Sequence, residues 1–118
     1  VQAEYIAGVK VLAKRISASN VEQMRELADR LRQSLGSAVI VLGAVIHDKP
    51  MLIAAVTPDL VEKGVQAGKL LSNVAKIFGG GGGGKPTMAQ AGGEDASKLD
   101  AALRQVPVEV GSELQQLR

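Results

Sequence analysis

Six consecutive glycines, Gly79 to Gly84, followed at once by Lys85, are the residues of this chain with the clearest chemical potential. Backbone N–H groups with no side chains in the way form concavities that hold anions, and a lysine beside them adds a point charge. Each glycine loses more backbone freedom on ordering than any other residue, so an ordered run needs a reason. A flexible linker would mix in serine and join two domains. This run instead joins a helical pattern to about 34 further residues with too little apolar content to fold alone, which favours an ordered loop whose backbone approaches a partner. The spacing Gly79-x-x-x-x-Gly84-Lys85 also satisfies most of a nucleotide-phosphate loop. Pro86, however, stands where a Ser or Thr hydroxyl must meet magnesium, and the run follows a helix rather than a strand, which argues against nucleotide hydrolysis.

Lys69 and Lys76 are seven apart and share a helical face. Each alone reads as a solubilising charge; together with Lys85 they would form a phosphate-binding ridge beside the glycines. His47 is the sole histidine, and with Asp48 it reads as a hairpin turn, because no nucleophile, cysteine or carboxylate cluster at ligand spacing accompanies it. The charges alternating along the segment 19–35, such as Glu26 with Arg30, read as a solvated helix face. Neither a catalytic residue nor a metal-ligand set nor a cofactor site follows from these residues.

The elements that must position the glycine run can be read from periodicity. Residues 9–16 alternate imperfectly, with Val9, Val11 and Ala13 on one face and Lys10, Leu12 and Lys14 on the other, predicting a half-buried strand with a basic outer face. Ser19 and Glu22 form a capping-box pattern ahead of Val21, Met24, Leu27, Ala28, Leu31 and Leu35, a helix that Gly36 should stop. Ala38 to Ile46 is continuously apolar and β-branched, as a strand buried on both faces would be. His47 to Pro50 breaks it, and Met51 to Val56 returns as the second arm of an antiparallel hairpin. Thr57 and Pro58 start a helix. A break near Gly64 and a firm helix from about Ala67 to Phe78 follow, because interior glycines weaken a helix by about 1 kcal/mol each. The stretch from Lys85 to Gly93 shows no periodicity. Asp95 can cap a last helical region carrying Leu99, Leu103 and Val106, kinked or restarted at Pro107 towards Leu114 and Leu117. The order predicts an α+β fold, a small mostly antiparallel sheet covered by helices in a two-layer sandwich with a glycine-rich loop.

Composition bounds the function. The 118 residues have room for one domain, and 46% hydrophobic residues suffice for a modest core. Tyr5 and Phe78 are the two aromatics, so readers of single strands that rely on base–aromatic stacking are disfavoured. Fourteen Lys and Arg against twelve Asp and Glu leave a net charge of +2, too little for tight nonspecific nucleic-acid binding without local clustering. The absence of cysteine removes disulfide and thiolate-metal chemistry. No apolar run approaches the ~20 residues of a membrane span, so a soluble protein with no membrane partner is expected. A first residue of Val1 rather than Met points to a processed chain or an excised piece of a longer one.

The stretch Ala67-Gly68-Lys69-Leu70, the run Gly79 to Gly84, and Lys85-Pro86-Thr87-Met88-Ala89-Gln90-Ala91-Gly92-Gly93 strongly resemble the signature of the C-terminal, DHH-associated domain of alanine–tRNA ligases. The resemblance extends through Val9, the helix ending at Leu35, the hairpin and Val56 to Leu60. DHH-type phosphoesterases carry a related domain with a His in or just after the glycine run. Lys85-Pro86 here, and the lack of a DHH motif, favour the ligase branch. The resemblance implies a module that contacts the body of alanine-specific tRNA, helps bring aminoacylation and editing centres to one tRNA, and works with the other domains of a cytoplasmic ATP-dependent parent. The expected RNA-contacting set is Gly79, Gly80, Gly81, Gly82, Gly83, Gly84, Lys85, Gln90, Gly92 and Gly93 with Lys69 and Lys76. Gly82 is expected to tolerate a larger side chain without unfolding, and Lys49 to lie away from the loop. Two alternatives stand beside this: a homodimerisation module burying its C-terminal helices against a second copy, and the substrate-binding domain of a DHH-type phosphoesterase.

Overall fold

The computed structural model describes residues 3–6 and 8–115, the side chain of Gln115 excepted. Its organising element is a six-stranded sheet in the order β1-β2-β3-β4-β6-β5, made of β1 (Glu4–Ile6), β2 (Val9–Arg15), β3 (Val39–Ile46), β4 (Lys49–Val56), β5 (Gly81–Gly84) and β6 (Met88–Gly92). All neighbours are antiparallel except β2 and β3, which run parallel. A parallel pair cannot be joined by a tight turn, and α1 (Val21–Leu35) is the crossover that joins this one.

The two faces of the sheet are sorted by alternation along β3. Val39 and Val41 point into a cluster with Leu52, Ala54, Leu70, Leu71, Phe78, Leu99 and Val106. Ile40, Leu42 and Ala44 point into a second cluster with Leu12, Met24, Ala28 and Ile53. The first lies under α2 (Pro58–Glu62), α3 (Ala67–Ala75) and α4 (Leu99–Gln115), the second under α1. The α+β sandwich with a mostly antiparallel sheet is thus present, with helices on both faces and the sheet as the middle tier. Leu12, assigned by its alternation to a basic outer face, is 2% exposed because α1 covers that face; Lys14 stays exposed, and Lys10 donates to the Leu35 carbonyl at the end of α1.

Local details differ from the sequence reading where short-range chemistry offers two solutions. The cap of α1 is Asn20, not Ser19: Asn20 Oδ1 accepts from the Gln23 amide at 2.9 Å, and Gln23 Oε1 accepts from the Ser19 amide at 2.8 Å. The N-cap thus lies one residue later than expected, and the Gln23 side chain reaches back past it to the Ser19 amide. The β3–β4 turn is two residues, His47 and Asp48, both at positive φ, which matches the twist of the flanking strands and lets Lys49 and Pro50 join β4. Gly64 follows the end of α2 at φ +105. α4 runs through Pro107 without restarting; Leu117 lies outside the described residues. Among the described residues no helix is long and apolar enough to cross a membrane.

Candidate functional site

The glycine run is a strand, not a loop. Gly81 to Gly84 form β5 at one edge of the sheet, paired with Ala89 to Gly92 of β6. Both ends are fixed: the Gly80 amide donates to the Ala75 carbonyl at 3.0 Å, and the Lys85 amide donates to Met88 at 2.9 Å to close the turn into β6. The run thereby continues directly from α3 and its terminal 3-10 turn (Lys76–Phe78).

The glycines divide into two kinds. A Cβ at Gly80 would meet the Gly92 carbonyl at 2.0 Å, at Gly82 the Ala91 Cβ at 2.4 Å, and at Gly84 the Ala89 backbone at 2.8 Å. Gly68 of α3 would meet the Gly84 carbonyl at 2.9 Å, and Gly93 the Phe78 ring at 2.4 Å. These glycines let α3, β5 and β6 come together. Gly81 and Gly83 are different: neither has a positive φ requirement, and a Cβ on either would meet nothing within 4 Å. No described residue of the domain requires them to be bare.

Gly83 lies opposite Gln90 and Gly81 opposite Gly92, so their open sides face the α1 side of the sheet. There a groove of about 340 Å³ is lined by Arg25, Gly83, Gly84, Lys85, Met88, Ala89 and Gln90. Arg25 Nη2 donates to Gln90 Oε1 at 2.9 Å, bridging α1 to β6 across 65 positions of sequence. Arg25, Gln90 and Lys85 are all exposed, and no acid lines the groove. The arrangement presents two cations, a side-chain amide and a strip of bare backbone, suited to a polyanion pressed close against the edge.

The expected residues do not converge on one face. Gly83, Gly84, Lys85 and Gln90 line the groove; Gly92 is outside its lining, where an added Cβ would meet Met51, and Gly93 packs on Phe78. Lys69 and Lys76 are exposed on the α3 side, Lys69 next to Gly68 at the Gly84 end of β5 and Lys76 at the Gly79 end. They flank the edge strand from the other face instead of forming one ridge with Lys85. Arg25 was missed because its partner is remote in sequence. Lys49 is ion-paired with Glu94, beside the Gly93–Pro50 hydrogen bond, so it is not remote from the glycine edge.

Among the described residues no group of three His, Cys, Asp or Glu could hold a metal, and His47 with Asp48 occupies the hairpin turn. One ionisable group among the described residues is displaced towards neutrality. Glu113 on α4 is 4% exposed, and neither carboxylate oxygen has a hydrogen-bond partner among the described residues. Burial pushes its pKa up to about 7, and Glu109 adds to the rise; the Gln66 backbone amide, outside hydrogen-bonding geometry, and the Lys69 charge oppose it.

Residues 8–110 match the model of the DHHA1 domain. The chain is 54% identical over 105 residues to an alanine–tRNA ligase of Dehalococcoides mccartyi, covering 89% of this chain and 12% of the ligase. It is 55% identical over 111 residues to that of Geobacillus thermodenitrificans, covering 94% and 13%. The chain thus spans about an eighth of the length of these curated relatives. Among solved structures, the C-Ala domain from Aquifex aeolicus alanyl-tRNA synthetase superposes with a TM-score of 0.84 at 26% identity, covering 94% of this chain and 99% of that one. The chain belongs to the DHHA1 domain family, in the branch found in alanine–tRNA ligases.

Proposed function

We propose that this domain is the tRNA-binding C-terminal module of an ATP-dependent alanine–tRNA ligase. In this reading it holds the body of alanine-specific tRNA so that aminoacylation and editing centres elsewhere in the parent act on one molecule, and it performs no chemistry itself. The observation that carries the reading is the pair Gly81 and Gly83, bare without internal cause, beside Arg25, Lys85 and Gln90. A phosphodiester backbone needs close approach, cations and hydrogen-bond donors, and little else. With Phe78 buried and Tyr5 distant in sequence, stacking contributes little, so binding should be nearly sequence-blind and salt-dependent. Titrating the domain with transcribed alanine tRNA across a salt series tests this. A slope near zero in log affinity against log salt refutes it.

A second reading, a dimer of this domain, is favoured by a different surface. Val108 is 60% exposed beside an apolar cleft lined by Ile6, Pro107 and Gly111. Sedimentation equilibrium separates the two: a monomer that binds tRNA supports the first, a dimer broken by Val108→Asp supports the second.

A further inference from the structure

Arg25 and Gln90 belong to elements that meet only in the folded chain, and the way they meet fixes which atom of Gln90 the groove offers. Asp29, one turn further along α1, is held by Arg32 at 3.0 Å, and Arg25 enters no ion pair among the described residues. It crosses to β6 instead, where its Nη2 donates to Gln90. A guanidinium carries donors and no acceptor, so the amide atom it faces at 2.9 Å is the oxygen. Nε2, the other branch of that planar amide, has no acceptor among the described residues. Gly83 stands directly across the ladder from Gln90, open where a side chain would project, and both line the groove.

We propose that Arg25 is a positioning residue for Gln90: it holds Oε1, so that Nε2 donates to a phosphate oxygen of RNA lying on Gly83. The inference rests on the RNA reading above and narrows it to one neutral donor of fixed orientation. An exposed glutamine that turns freely offers a phosphate either a donor or a repelling oxygen, and it must be ordered on binding. Held by Arg25, Gln90 has already lost that freedom, a gain on the order of fivefold in affinity. Arg25 thus acts twice, through its own charge and through the amide it orients.

Titrating the 118-residue chain and its variants with alanine tRNA transcript across a salt series separates the two actions. Gln90→Met should weaken binding by about tenfold at every salt concentration and leave the slope unchanged, because a neutral donor releases no counterion. Arg25→Met should weaken binding and lower the slope by about one phosphate-contact unit. In that background Gln90→Met should cost only about twofold more, because the amide is no longer held. Gln90→Glu still accepts from Arg25 but turns a second carboxylate oxygen towards the phosphate, so it should bind more weakly than Gln90→Met. NMR of the Gln90 side-chain amide gives an answer in the wild-type chain alone: it should be as ordered as the strand that carries it, and its resonances should shift when RNA is added. Unchanged affinity in Gln90→Met, an equal cost of that change with and without Arg25, wild-type affinity in Gln90→Glu, or a mobile Gln90 amide in the wild type overturns the proposal. Salt-dependent wild-type binding in any of those cases leaves the RNA reading standing. Binding without salt dependence, or no binding at all, overturns both.

Discussion

Replacing Glu113 by Gln should make the domain more stable at pH 8 and leave it nearly unchanged at pH 5. An acid whose pKa is higher in the native state than in the unfolded chain keeps its proton longer when folded. Between about 4.5 and about 7 the native state of this domain therefore binds more protons at Glu113 than the unfolded chain does. Stability consequently falls as pH rises through that window, with the full loss present above about 7. Moving the titration from 4.5 to about 7 corresponds to a ceiling of about 3 kcal/mol, at roughly 1.4 kcal/mol per pH unit. Gln keeps the shape without the charge but leaves a buried amide short of partners, which costs about 1–3 kcal/mol. The protonated acid at pH 5 suffers nearly the same deficit, so the two proteins should converge there. At pH 8 a gain of about 2 kcal/mol would raise the melting temperature by several degrees in a domain of this size. Urea denaturation followed by circular dichroism at pH 5, 6, 7 and 8, compared between wild type and Glu113→Gln, isolates this residue because every other titrating group is common to both. A stability difference that stays constant from pH 5 to 8 would refute the assignment of a buried, charge-averse carboxylate.

Gly82→Val should lower stability by more than about 2 kcal/mol, since its Cβ would overlap Ala91; Gly83→Ala should stay within about 1 kcal/mol by the same denaturation assay while weakening tRNA binding. Lys85→Ala and Arg25→Ala should each lower affinity and reduce the salt slope by about one phosphate-contact unit, with exposed Lys14 on β2 as the control because Lys49 is ion-paired near the glycine edge. Asn20→Ala should cost about 1 kcal/mol in α1 stability and Ser19→Ala much less, as thermal melts would show. The isolated chain should show no alanine activation, aminoacylation or phosphodiesterase turnover above a control lacking residues 79–84.

Where one period dominated a segment, its structure was legible. α1 and the β3–β4 hairpin follow from spacing that only a helix or a fully covered strand satisfies. β5 was illegible because glycine has no strand preference and the strand exists only through its pairing with β6. β1 is three residues long, too short to carry a period. Ser19/Glu22 and Asn20/Gln23 both fit the capping pattern, and sequence offers nothing to choose between them. Arg25 looked like one charge among many on a solvated face, and its use depends on Gln90 arriving from the far end of the chain. Glu113 did leave a trace: Leu99, Leu103, Val106 and Val110 step by four, three and four, and three more reaches Glu113 on the same buried stripe.

A strand of identical residues carries no address. Along most strands the alternation of large and small side chains tells the chain which residue meets which, but nothing in Gly81 to Gly84 distinguishes one alignment from its neighbours. The instruction is held at the ends instead, by the Gly80–Ala75 and Lys85–Met88 hydrogen bonds and by the snug seats of Gly80, Gly82 and Gly84. β5 therefore behaves like a cord cut to length between two knots. Inserting or deleting one glycine alters the distance between those knots, not the composition of the strand, and so changes how tightly the edge is drawn across the sheet.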